Sequence, residues 1–217
     1  LVLTGANFHV RNGYSSTATT NGRGNIIVGY QETRSSGNVR TGSHNVIIGR
    51  NNNYGSYGGL CAGYNNAITG FYSSVSGGSN NQATGSYSTV TGGDYNIASG
   101  QDSTCAGGGY NRASNTNATV AGGNRCVASG QYSSVAGGTF CTATASYSAA
   151  FGGNRVKASG SRSVAIGGSS NEAMADYATA VGGSSNRAGT AANLGTYSVV
   201  VGGNNGTTTG GSHNVVV

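Results

Sequence analysis

Residues 86–109 read "SYSTVTGGDYNIASGQDSTCAGGG", and this stretch decides the fold. Gly92-Gly93 returns fifteen residues later as Gly107-Gly108, and Ser88-Thr89-Val90 returns as Ser103-Thr104-Cys105. Outward from here the Gly-Gly pairs begin at 77, 92, 107, 122, 137, 152, 167 and 182, each step fifteen residues. The next pair begins at 202, so that coil carries five extra residues near Thr190–Leu194. Before residue 77 the pattern loosens: Ala62-Gly63, Ile48-Gly49 and Val28-Gly29 follow steps of about fourteen and then twenty. Self-similarity at a fixed period marks a repeat architecture.

Composition agrees. The chain has 217 residues, 41 of them Gly, no Pro and no Trp, and only 7% are charged. So much Gly with Ser, Asn and Thr suggests a flexible chain. Disordered segments, however, are rich in Pro, Glu and Lys, and here the glycines recur in register. No apolar run is long enough for a membrane-spanning helix, so membrane insertion is not expected, and no signal peptide is visible. The chain begins at Leu1 rather than Met, which reads as a processed product or a fragment. The formal charge of +6 is spread over ten Arg and one Lys. Specific nucleic-acid binding needs clustered basic residues and is not expected.

Counted from the first Gly, the consensus is G-G-x-x-N-x-A-x-G-x-Y-S-x-V-x. Position 7 is Ala from Ala83 through Ala188, and position 14 is Val, Cys or Ala. Nothing has a helical period. The strand signals are short, as in "NIIVG", "NVIIG", "SVAIG" and "SVVVG", and each is bounded by Gly or Asn, the residues of tight turns. Two short strands and two turns use up fifteen residues. The expected fold is therefore all-β: a parallel β-solenoid of about a dozen coils, stacked at about 4.8 Å. Residues 1–20 form an N-terminal segment, edge-covering or inter-subunit, and residues 21–217 the repeat domain. Position 7 and position 14 would meet across a thin interior. Such a core is small against about 1–2 kcal/mol of backbone entropy per residue. Strands that are apolar at consecutive positions are buried on both faces, so the outer face is expected to meet another copy of the chain.

"SVAIGGSSNEAMADYATAVGG" (163–183) resembles the YadA-like head repeats of trimeric autotransporter adhesins. Ser163-Val-Ala-Ile-Gly167 matches that family's core strand, and Ala158-x-Gly160 its A-x-G turn. The resemblance covers roughly residues 20–217 and is closest over 149–203. It implies a left-handed parallel β-roll, three chains packed side by side, and an extracellular or cell-surface setting. Between 74 and 136 the apolar V-A-I is replaced by "SVS", "TVT" and "TVA", with a second Gly added.

Four columns are candidates for function. Position 11 stacks Tyr72, Tyr87, Tyr132, Tyr147, Tyr177 and Tyr197, interrupted by Asp102, Asn117 and Arg162. These rings read either as an amphipathic binding stripe or as covers for the coil corners. Position 5 holds Asn81, Asn96, Asn111, Asn171 and Asn186, whose amides can hydrogen-bond along the stack. Cys126, Cys141 and Val156 break that column. Cys126 and Cys141 are one coil apart, a spacing a disulfide accepts; the other reading is two small turn fillers. Cys61 and Cys105 fall in or beside a strand and read as buried thiols. Arg112, Arg125, Arg155, Lys157 and Arg187 at positions 4 and 6 read as a weak basic edge. His44 and His213 share a "GSHN" context and are repeat equivalents.

No C-x-x-C, no phosphate loop and no nucleophile–base–orienter set emerges, and no cofactor or metal is expected. The expected function is non-enzymatic: an extracellular structural or adhesive fibre module, self-associating as a homotrimer and head to tail. Its partners would be itself and a host, matrix or glycan surface. The alternative is an ice-binding solenoid, against which only "TVT" (89–91) keeps both threonines. A glycan hydrolase built on a solenoid is disfavoured by the missing carboxylate pair. For the filament, the apolar "LVLTGANFHV" at residues 1–10 is expected to cover the last coil of the next assembly.

Overall fold

The computed structural model describes residues 4–30, 32–34, 37–190, 196–209 and 213–217. It is an all-β solenoid of about eleven turns built from coils of about fifteen residues. Among the described residues, strands pair only in parallel with their equivalents one coil away, as Thr89 does with Thr104 and Ala98 with Ala113. Two sheets result. Among the described residues, a long sheet of thirteen strands runs from Ile26–Val28 to Val215–Val216, and a short sheet of ten runs from Asn53–Tyr54 to Arg187–Ala188. Each coil contributes one strand to each sheet along most of the stack, so the coil is a flat loop with two turns.

The interior is as thin as the sequence pattern requires. Position 7 (Ala83, Ala98, Ala113, Ala128 and onward) and position 14 (Val75, Val90, Cys105, Val120, Val135 and onward) are fully buried in one continuous cluster. A strand residue pointing in is flanked by residues pointing out, which gives Val164-Ala165-Ile166 its half-buried, buried, exposed pattern. Cys61 and Cys105 are buried in the position-14 column, as the sequence suggests.

The register locates the fifteenth residue. Val46, Leu60 and Ser74 are successive partners at steps of fourteen, and Thr89 follows at fifteen. Leu60 pairs with Ser74 whereas Tyr64 pairs with Ser79, so the extra residue lies between them. It falls between Val75, the partner of Cys61, and Gly78, the equivalent of Gly63, that is, at Ser76 or Gly77. A Cβ on Gly107 would meet nothing within 4 Å, while one on Gly108 would lie 2.1 Å from the Gly123 carbonyl oxygen. The second glycine is thus demanded by the next coil, and the first is an outward spacer.

The five-residue insertion lies, apart from Thr190, outside the described residues. The stack continues across it, with Thr179 paired to Val199. Residues 4–20 carry no strand. Part of this segment lies on the first coils of the same chain: the Asn12 carbonyl accepts from Asn21 Nδ2 at 2.9 Å, His44 Nδ1 is 3.2 Å from the Thr17 carbonyl, and Asn12 is buried.

Candidate functional site: ladders on the two turns

Each regular coil has one non-glycine residue in the left-handed region at each turn, at positions 4 and 11. At position 11 these include Tyr72, Tyr87, Asp102, Asn117, Tyr132, Tyr147, Arg162, Tyr177 and Tyr197, with φ of 55–63°. At position 4 they include Asn80, Tyr95, Tyr110, Arg125, Phe140, Arg155, Ser170 and Ser185, with φ of 55–57°. This conformation costs an L-residue roughly 1–2 kcal/mol and is usually left to Gly or Asn. It also carries the backbone ladder round the corner. The Tyr87 N–H bonds the Phe71 carbonyl at 3.0 Å, and the Tyr95 N–H bonds the Ser79 carbonyl at 3.1 Å.

The side chains at these corners are half-exposed and stack along the solenoid axis. At position 11, Tyr72 and Tyr87 stack with centroids 5.5 Å apart, Tyr132 and Tyr147 at 4.9 Å, and Tyr177 and Tyr197 at 5.0 Å. Arg162 does not interrupt the column. Its guanidinium lies 5.4 Å from the centre of the Tyr147 ring and 5.4 Å from that of Tyr177, and its Nη1 donates to the Tyr177 hydroxyl at 3.1 Å. His213 closes the far end, 5.0 Å from Tyr197 with the rings nearly parallel. The result is one ladder of six rungs: Tyr132, Tyr147, Arg162, Tyr177, Tyr197, His213. Beyond Asp102 and Asn117, at the other end of the column, Tyr57 and Phe71 from position 10 pack on the separate pair Tyr72 and Tyr87. His44 and His213 both sit at this corner with positive φ, as their matching contexts imply.

Sequence reasoning missed a second ladder. Tyr95 and Tyr110 stack at 4.9 Å, and Arg125 lies between Tyr110 and Phe140, 5.7 and 5.4 Å from their centres. The signal was present at position 4 as Tyr, Tyr, Arg, Phe at steps of fifteen. An alternation of chemically different residues hides a column that is uniform only in being flat and π-rich.

The basic edge is divided. Arg125 and Arg155 stand at the position-4 corner, whereas Arg112, Lys157 and Arg187 lie on the short-sheet strands. Glu172 pairs in register with both Lys157 and Arg187, and its carboxylate is 3.5 Å from Arg187 Nε. From Lys157 through Glu172 to Arg187 the charges therefore alternate in sign.

The Asn column is structural. Asn81 Oδ1 accepts the Asn96 N–H, Asn96 Oδ1 accepts the Asn111 N–H, and Asn111 Oδ1 accepts the Cys126 N–H, all at 2.9–3.0 Å. Each Nδ2 donates to a glycine carbonyl of its own coil and one of the next, as Asn96 does to Gly92 and Gly108. Cys126 and Cys141 occupy the same place as free thiols. Their sulfurs face the carbonyls of Gly138 and Gly152, at 3.4 and 3.2 Å. They fill the turn in the amide's place. Next to this column, position 12 adds a second polar lining, with Ser88 Oγ donating to the Gly85 carbonyl at 2.6 Å.

Burial pushes the thiols up, to about 12 for Cys61 and about 11 for Cys105. Among the described residues, no three His, Cys, Asp or Glu side chains converge as metal ligands. No helix among them is long and apolar enough to cross a membrane. No family model matches the chain, and no curated protein matches it.

Proposed function

We propose that the chain is a non-enzymatic, extracellular structural and adhesive module, a left-handed β-roll that assembles side by side as a homotrimer. One observation carries the reading: the outer face of the long sheet. At one end it bears Ile26, Val28, Val46 and Ile48, and at the other Phe151, Ile166 and Val201, all 36–57% exposed. Between them the outward residues are small: Ser74, Thr89, Thr104, Thr119 and Ser134 in one column, and Ala106, Ala121 and Ala136 in the next. Taking a large apolar side chain from full exposure to full burial gains roughly 1.5–3 kcal/mol, of which these half-exposed ones have about half still to gain, and contiguous apolar patches mark association surfaces. Small residues in the middle let a neighbouring sheet approach closely. Closed cyclic symmetry satisfies identical faces without leaving one open. The turn ladders then point away from the shared face, towards a host, matrix or glycan surface. In the filament part of the reading, residues 1–10 join one assembly to the next. Removing them is expected to abolish end-to-end association in electron micrographs while the trimer persists.

Sedimentation of the full chain beside Ile48→Asp and Ile166→Asp variants tests the shared face. The expected result is a trimer that each variant dissociates while its circular dichroism stays unchanged. Variants that sediment like the parent would remove this face from the assembly.

A second reading, ice binding, draws on the in-register column Ser74, Thr89, Thr104, Thr119, Ser134. A companion rank begins at Ser76 and Thr91 but turns to Ala from residue 106. Thermal hysteresis of the purified chain would favour it over the adhesive module.

A further inference from the structure

We infer that the stacked tyrosine pairs are oxidative cross-linking sites, at which a peroxide-driven one-electron oxidant joins consecutive coils through dityrosine bonds. Four pairs qualify: Tyr72 with Tyr87, Tyr95 with Tyr110, Tyr132 with Tyr147, and Tyr177 with Tyr197. Their ring planes lie within 7–19° of parallel at 4.9–5.5 Å. Every ring is 42–52% exposed, so an oxidant reaches it and a modest tilt brings the carbons ortho to the two hydroxyls together.

The rest of the molecule directs oxidation to these rings. The usual competing side chains are Trp, Met and Cys. This chain has no Trp and a single Met, at position 174. All four Cys are buried, and a buried neutral thiol is a poor electron donor because the thiolate is the reactive form. Tyrosine, present thirteen times, is the main oxidisable group left at the surface.

The chemistry balances with hydrogen peroxide and a haem peroxidase. Each phenol gives up one electron and one proton, and peroxide takes up both pairs to become two waters. The two phenoxyl radicals couple through ortho carbons, and the two hydrogens on those carbons return to the oxygens. The product has one new C–C bond and two hydrogens fewer than the starting pair. A bond between coils closes a loop of about fifteen residues and removes freedom from the unfolded chain, as a disulfide does. The turn ladders thereby become covalent staples along the solenoid.

The test is peroxidase and hydrogen peroxide on the dilute full-length chain, followed by denaturing electrophoresis, mass spectrometry of the single-chain band and peptide mapping. The expected product runs as one chain, is lighter by two hydrogens per link, and joins tyrosines one coil apart. Its denaturant midpoint is higher than that of untreated protein. Tyr132→Phe with Tyr147→Phe, which keeps the stacking, loses that one link and retains the others. Tyr14 and Tyr30 serve as internal controls, because they are 67% and 95% exposed and have no ring neighbour among the described residues. Links that run through Tyr14 and Tyr30, links only between chains, or no dityrosine would each overturn the assignment. An unchanged midpoint in a linked product would overturn the staple. Because the readout is within one chain, it stands apart from the oligomeric state.

Discussion

Asn81 Oδ1 accepts the backbone N–H of Asn96, fifteen residues on, at 2.9 Å. The bond joins two buried amides one coil apart, and the same bond recurs to Asn111 and then to the Cys126 N–H. The column turns a peptide group that the turn would leave unpaired into part of the stack. Replacing Asn96 with Val is expected to strand the Asn111 N–H and the Gly92 carbonyl, while the Gly108 carbonyl keeps the Asp94 N–H. Leaving a buried polar group unpaired costs about 1–3 kcal/mol. The converse change, Val156→Asn, offers the Asn171 N–H an acceptor where valine has none, and is expected to be neutral or stabilising. Urea unfolding of the two variants checks the opposite signs.

The two glycines of each pair are expected to differ. At Gly108 an added methyl collides with the Gly123 carbonyl, which is main chain and cannot step aside. Overpacking of this kind costs roughly 1–3 kcal/mol or more, so Gly108→Ala destabilises strongly. Gly107→Ala points into open space at an ordinary φ and is expected to fall within about 0.5 kcal/mol of the parent. Gly167 also faces open space but has φ of +61°. Alanine there is expected to cost about 1–2 kcal/mol from backbone strain alone. Thermal melts of the three variants rank them.

Tyr147 touches Tyr132 on one side and Arg162 on the other. Aromatic pairing contributes about 0.5–1.5 kcal/mol beyond area burial. Tyr147→Ala is expected to lose both contacts and keep the left-handed strain. Tyr147→Gly loses the same contacts but relieves the strain, so it is expected to be about 1 kcal/mol more stable than the alanine variant. Equal stabilities would mean that the corner holds no strain.

Cys61 and Cys105 make stability fall at alkaline pH. Their thiols ionise near 9 when unfolded and at about 12 and about 11 when folded, because burial disfavours the thiolate. The unfolded chain therefore releases protons first. The stabilisation is fully present below pH 9 and is lost as pH rises from 9 towards 12. Cys61→Val with Cys105→Val, matching the valines that neighbour them in the column, is expected to flatten this decline. A pH series of chemical unfolding shows it as a smaller slope above pH 9.

Much of this was legible because each column repeats one demand. Ala at position 7 recurs because each interior slot is the same size, and Val or Cys at position 14 because it faces that slot. The Tyr column at position 11 could be read as a stack, but not Arg162 as one of its rungs. A cation between two rings is a property of the neighbours, and the letter R alone carries no such information. For the same reason Arg125 read as part of a basic edge when it lies between Tyr110 and Phe140. Which glycine of each pair is indispensable was hidden too. The two letters are identical, and only the register separates the one under the next coil from the one beside it.

The central claim is that the outer face of the long sheet is built for identical neighbours. Native mass spectrometry of the full chain, sprayed from a volatile buffer near neutral pH at micromolar concentration, tests it most directly. The account predicts a dominant species of three chains, each of 21.3 kDa. A dominant single chain, with Ile48 and Ile166 left in water, would contradict it.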